Sequence, residues 1–155
     1  MCALLKESDL LDTLEEKDGT FTLFAPTDDA FKKMEDLAGF RDEEVKDILK
    51  LHILNSIETF DSLDCLGSVT TLLGEKTETL CLLGVTNKFQ VGKGNIDDAN
   101  VPEILPPFFL GSNGNILPVD NVILPELPTI GKFNSHRIAY SIVPVYVYIY
   151  IYIYI

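Results

Sequence analysis

Leucines at helical spacing near the start, alternating strand-like runs through the middle and a late Asn-Gly turn predict an α+β fold with helices first and sheet after. Leu4, Leu5, Leu10, Leu11 and Leu14, interspersed with Lys, Glu and Asp, predict one or two short amphipathic helices ending near Gly19. Residues 20–25, Thr-Phe-Thr-Leu-Phe-Ala, alternate polar and apolar types and read as a half-buried strand that Pro26 ends. Thr27 is then placed to cap a helix, with Asp28 and Asp29 in its first turn, where carboxylates favour the positive end of the dipole. Ala30, Phe31 and Met34 give that helix an apolar face.

The strongest helical pattern covers residues 41–54. Asp42 is its expected cap, and Val45, Ile48, Leu49 and His52 share one face. Residues 68–73, 77–83 and 88–91 read as strands, separated by turns at Gly74-Glu-Lys and Gly92-Lys-Gly-Asn. Pro102, Pro106 and Pro107 mark an irregular crossing before Asn113-Gly114, a turn dipeptide that opens the final strands around residues 116–124. Pro118 removes a ladder donor, which predicts an edge position or a bulge there.

The chain has 155 residues, 46% of them apolar, enough for one domain and one core. Its net charge of -12 is uneven: residues 1–64 carry 17 acids and 7 bases, residues 65–155 only 7 acids and 5 bases. With no basic stripe to release counterions from phosphate, nucleic acid is excluded as a partner, and charge-driven binding to an anionic bilayer is disfavoured. Three cysteines, Cys2, Cys65 and Cys81, allow one bridge with a remainder. Cys65 and Cys81 fall in strand-like segments, where either a bridge or two buried thiols fits the pattern. No charged region followed by an apolar run opens the chain, so no signal peptide is expected within it.

Catalytic motifs are missing: there is no nucleophile elbow, His-Glu-X-X-His, dinucleotide fingerprint or phosphate loop. Asp42, Glu43, Glu44 and Asp47 read as a solvated helix start, leaving calcium only as diffuse surface binding. No enzyme activity, metal centre or cofactor is expected. The organisation predicted is a domain over residues 1–126, a linker over 127–144 and a low-complexity tail over 145–155. That tail alternates Val or Ile with Tyr, which is what translation of a thymine–adenine dinucleotide repeat produces, so it reads as repeat-derived.

Thr22-Leu-Phe-Ala-Pro-Thr-Asp-Asp-Ala-Phe31 and Asn113-Gly-Asn-Ile-Leu-Pro-Val-Asp-Asn-Val-Ile-Leu-Pro125, with Leu49-Lys-Leu-His-Ile-Leu54 between them, resemble the ordered landmarks of the fasciclin domain. The resemblance implies N-terminal helices packed on a β-sheet wedge, a longer first helix than the one seen here and hence missing upstream residues. It also implies a non-catalytic adhesion module at the cell surface or in the extracellular matrix, with a matrix or cell-surface protein, a polysaccharide or a second copy as partner. The alternatives are a carrier of a small apolar ligand, in a pocket lined by residues such as Phe24, Phe31, Leu49 and Phe89, and a degenerate copy without function.

By the same resemblance His52 occupies the segment linked to integrin recognition in animal relatives, but Leu51 stands where they have tyrosine. Aligned on Asn113-Gly114, Phe108-Phe109 replaces an Asp-Ile pair, which removes the carboxylate that a metal-dependent integrin contact needs. His52, Asp28, Asp29, Phe108 and Phe109 are therefore the candidate binding residues. A bracing role for His52 against the first landmark segment, and a core position for Phe108 and Phe109, are the expected structural fates. Thr27, Asn113, Gly114 and Asp120 are expected to hold turns and strand ends in place.

Overall fold

The computed structural model describes residues 1–16, 19–33, 40–82, 86–95 and 100–126. Its organising feature is a parallel pairing between β1 (Phe21–Pro26) and β7 (Gly114–Val119), in unbroken register from Phe21↔Gly114 to Pro26↔Val119. The two landmark segments are thus neighbours in space. β2 (Ile53–Leu54) adds antiparallel to β1, and β6 (Phe109–Leu110) adds antiparallel to β7, giving the order β2-β1-β7-β6. A second sheet, β3 (Ser68–Thr70), β4 (Lys76–Cys81) and β5 (Lys88–Val91), is an antiparallel meander.

Because strand residues alternate faces, β1 serves two cores. Phe21 and Leu23 face a cluster built with Leu5 of α1 (Cys2–Glu7), Leu10 of α2 (Leu10–Leu14), Leu49 of α4 (Asp42–Leu51), and Ile53. Phe24 lies in the other, with Leu51, Leu54, Leu63, Ile104, Leu117, Val119 and Ile123. β1 is therefore an inner strand covered on both faces, not the half-buried strand its alternation suggests. Thr22 tolerates burial because its hydroxyl donates to the Ser56 carbonyl at 2.7 Å and accepts from the Glu58 N–H at 2.7 Å. Pro26 remains the strand's last residue.

Thr27 caps α3 (Asp28–Lys33): its hydroxyl accepts the Ala30 N–H at 3.2 Å. Met34 lies outside the described residues, as do the linker and tail at 127–155.

The helix expected over 41–54 is shorter. Asp42 is its first residue, not its cap; Arg41 is the cap, and the Glu44 carboxylate accepts the Arg41 N–H at 2.9 Å. α4 stops at Leu51 because Ile53 and Leu54 pair with Leu23 and Thr22, so strand pairing overrides the helical pattern.

In the second sheet, Gln90 is fully buried yet satisfied. The Thr79 hydroxyl donates to its carbonyl oxygen and its amide donates to the Thr77 hydroxyl, each at 2.7 Å. β3 ends at Thr70, short of the expected residue 73, and the turn that follows carries Gly74 at φ +87°, a conformation open to glycine.

Candidate functional site

Among the described residues, helices α1, α2 and α4 pack on the β2–β1 end of the four-stranded sheet, and their core cluster takes in no residue of β7 or β6. Leu23, Ile116 and Phe109 are aligned across three strands on one face. Leu23 packs against the helical core, whereas Ile116 is 39% exposed and Phe109 55% exposed. Leu110, next along the edge strand, is 69% exposed. No charged residue occurs between Glu103 and Asp120. In an acidic chain, β6 and its neighbour on β7 form an uncharged apolar edge.

The Phe-Phe pair thus divides. Phe108 follows the expected inward course: it stacks on Phe60 with ring centroids 4.9 Å apart and packs against the main core. Phe109 does not, because the helices leave its side of the sheet uncovered. Beneath Phe60, the Lys88 ammonium lies 5.0 Å from the ring centroid and donates to the Phe60 and Leu63 carbonyls at 2.7 and 2.6 Å. Lys88 thereby ties β5 to the loop that carries Phe60.

The hairpin that presents this edge turns at Ser112-Asn113, flanked by the Gly111 N–H to Gly114 carbonyl bond of 2.8 Å, rather than at Asn113-Gly114 as the dipeptide suggests. Gly114 is instead the first residue of β7. A Cβ there would lie 2.6 Å from the Phe21 carbonyl oxygen, so glycine is required by close approach of two backbones. The Asn113 carbonyl accepts the Phe21 N–H at 3.0 Å, and its amide donates to the Leu14 carbonyl at 3.4 Å.

Pro118 interrupts nothing. β7 is an inner strand with continuous register at Pro118, which lies beyond the end of β6, where its carbonyl accepts the Leu105 N–H at 2.7 Å. The expected edge or bulge is absent because the missing donor falls opposite the irregular crossing.

His52 is 1% exposed and bridges the landmarks. Its backbone carbonyl accepts the Phe24 N–H at 2.9 Å, so the first segment is held by main chain. The ring reaches the other segment: Nδ1 lies 2.7 Å from the Ile48 carbonyl and Nε2 lies 2.9 Å from the Ile123 nitrogen. A carbonyl only accepts and an N–H only donates, so Nδ1 carries the proton and Nε2 is bare. Burial pushes the His52 pKa down to about 4, opposed by the Ile48 hydrogen bond. A neutral, buried, doubly bonded ring braces the fold and is not available to a partner.

Asp28 and Asp29 are exposed at the start of α3, which follows the inner strand β1. Lys32 pairs with Asp29 at 2.7 Å and holds its carboxyl below the usual range. Asp120 accepts the Glu103 N–H at 2.8 Å, and the Lys33 ammonium donates to its carbonyl at 3.0 Å, joining α3 to the crossing. Cys65 and Cys81 form a disulfide, Cys65 lying in the turn ahead of β3 rather than in a strand, and Cys2 is exposed. Among the described residues, no cluster of three or more His, Cys, Asp or Glu could hold a metal ion.

Of the residues expected to line a carrier pocket, Phe24 and Leu49 are buried in separate core clusters, and clefts of 740, 280 and 80 Å³ among the described residues are lined by other side chains. Asn95 escaped sequence reasoning. Buried after Gly92, it accepts the Gly92 and Leu124 N–H groups and donates to the Val122 carbonyl, anchoring the end of the second landmark; the Gly92-Lys-Gly-Asn segment gave only a turn signal.

The profile of the Fasciclin domain family matches residues 1–125. Among solved structures, the fold is similar to the FAS1 domain pair from the insect cell adhesion molecule Fasciclin I. The TM-score is 0.60 at 16% sequence identity, over 78% of this chain and 43% of that one, so this chain spans less than half of its neighbour's length. No curated protein gives a significant match. Fasciclin domains are generally non-catalytic adhesion modules, typically extracellular or surface-associated. Among the described residues no helix is long and apolar enough to cross a membrane. With the two landmark segments joined through the β1–β7 pairing and the profile matching residues 1–125, this chain belongs to the fasciclin domain family.

Proposed function

We propose that this domain is a recognition module of the extracellular matrix or cell surface that binds a protein partner through strand β6 and the adjoining face of β7. The observation that carries the reading is the exposure of Phe109 and Leu110, at 55% and 69%, on the edge strand of an otherwise well-covered sheet. An edge strand offers unpaired backbone groups to an extended partner segment, while its apolar side chains supply the contact area. Recognition is by surface complementarity, with no turnover. An apolar edge favours a protein over a polysaccharide, whose hydroxyls ask for polar partners.

The test is capture of the domain on surfaces coated with matrix proteins or with wall and matrix polysaccharides, comparing the wild type with Phe109→Ser/Leu110→Ser. Both side chains are exposed, so the fold should survive. Loss of two apolar contacts should weaken protein capture about tenfold or more, and capture should persist in high salt and chelator. Undiminished capture by the double variant, or binding abolished by moderate salt, refutes the reading.

A further inference from the structure

We infer that the cleft between α1 and the start of α4 is a docking groove for a cationic amphipathic segment of a partner protein, separate from the β6 edge and independent of its assignment. The cleft measures about 740 Å³, within the size range of built ligand sites, and opens to solvent. Leu4 and Val45 lie along it. Both belong to the partly buried outer layer of the helical core, so the cleft floor is apolar surface that the domain leaves open. Phe40 extends that floor ahead of α4.

The rim is acidic. Glu7 and Asp9 stand on one wall and Asp42 and Glu43 on the other, all exposed, against the single cation Lys46. None of the four makes an ion pair among the described residues, whereas their neighbours Glu44 and Asp47 on α4 are paired with Arg41 and Lys50. Glu7 moreover ends α1, where a carboxylate meets the negative end of the helix dipole and is stabilised by a cation from elsewhere.

The spacing of these acids defines the ligand class. They do not converge into a group able to hold a metal ion, which disfavours a divalent cation. Separate carboxylates around an apolar floor instead match several ammonium or guanidinium groups spaced along one segment, with apolar side chains between them. A helix with Leu or Phe on one face and Lys or Arg flanking it has that pattern. A purely apolar small molecule would leave the rim unmatched, and an anion would be repelled.

The experiment uses the full chain and fluorescence anisotropy with three labelled peptides of equal length: an amphipathic Leu/Lys helix, the same sequence with Glu for Lys, and a Lys/Ser peptide of the same charge without leucine. The Leu/Lys peptide should bind and the other two should not. Asp42→Asn/Glu43→Gln should weaken binding about fivefold to tenfold, in line with two rim contacts, while the charge-matched Asp61→Asn/Asp64→Asn, outside the cleft, should change it less than about twofold. Both pairs are exposed, and a melting curve for each confirms the fold. Equal loss in the two variants would show a general field effect and overturn the groove. Equal binding of the Lys/Ser peptide would show that the apolar floor is unused and overturn it as well.

Discussion

His52 gives the fold a specific sensitivity to acid. Its ordinary value of 6.5 is lowered to about 4 by burial, and Nε2 must stay bare to accept the Ile123 N–H. Protonation would set two donors against each other in a site without water access. Because the folded-state pKa lies below the unfolded one, both states are neutral above about pH 7, and His52 imposes no pH dependence there. As pH falls through 6.5 the unfolded chain binds a proton that the folded chain refuses, and stability declines until the folded-state value near 4 is passed. The full loss is about 3 kcal/mol, of which about 2 kcal/mol falls between pH 7 and pH 5. Over that interval ordinary carboxylates hardly titrate. Urea denaturation at pH 7 and pH 5 reads the change directly, with His52→Gln as the non-titrating comparison. That amide can still donate and accept, and His136, outside the described residues, is common to both proteins and cancels. The substituted protein should start less stable yet lose about 2 kcal/mol less between the two pH values. Identical slopes for the two proteins would refute the neutral, buried assignment.

Two further outcomes follow from the same structure. The Cys65–Cys81 bridge closes a loop of sequence separation 16, so reduction should cost about 3 kcal/mol in the chain-entropy model. Denaturation midpoints with and without reductant test this, and an unchanged midpoint together with two newly titratable thiols would refute it. Gly114→Ala would set a Cβ 2.6 Å from the Phe21 carbonyl oxygen, in backbone that can move only by opening the β1–β7 pair. A loss of about 2 kcal/mol or more is expected by thermal or urea unfolding, and a loss below about 0.5 kcal/mol would show that the two strands are farther apart.

Local chemistry was legible in the sequence; long-range pairing was not. Thr27 at a cap, strand β5 over residues 88–91 and the glycine turn at residue 74 each depend on a few adjacent residues, and the sequence reading placed them. The end of α4 was misplaced because its limit is set by β1, some thirty residues earlier, which takes Ile53 and Leu54 as a strand. Pro118 was misjudged for a related reason: whether a missing donor matters depends on what lies opposite it, and that is the crossing at Leu105. At the candidate surface, Phe108 and Phe109 are indistinguishable by composition. Only the extent of the helical layer separates a ring stacked on Phe60 from one open to solvent.

That extent also bears on how such an edge can persist. A long, flat apolar edge strand would template indefinite pairing between copies, and β6 is only two residues long before the hairpin turn at Ser112-Asn113. Pairing along it is limited to a few backbone hydrogen bonds, enough to orient a partner segment and too few to propagate a sheet. The net charge of -12 acts in the same direction, since two copies repel over most of their surfaces even where their uncharged edges could meet. A partner carrying less negative charge escapes that penalty. On the proposed reading, the short edge strand and the charge placed outside the contact together favour hetero-recognition over self-association.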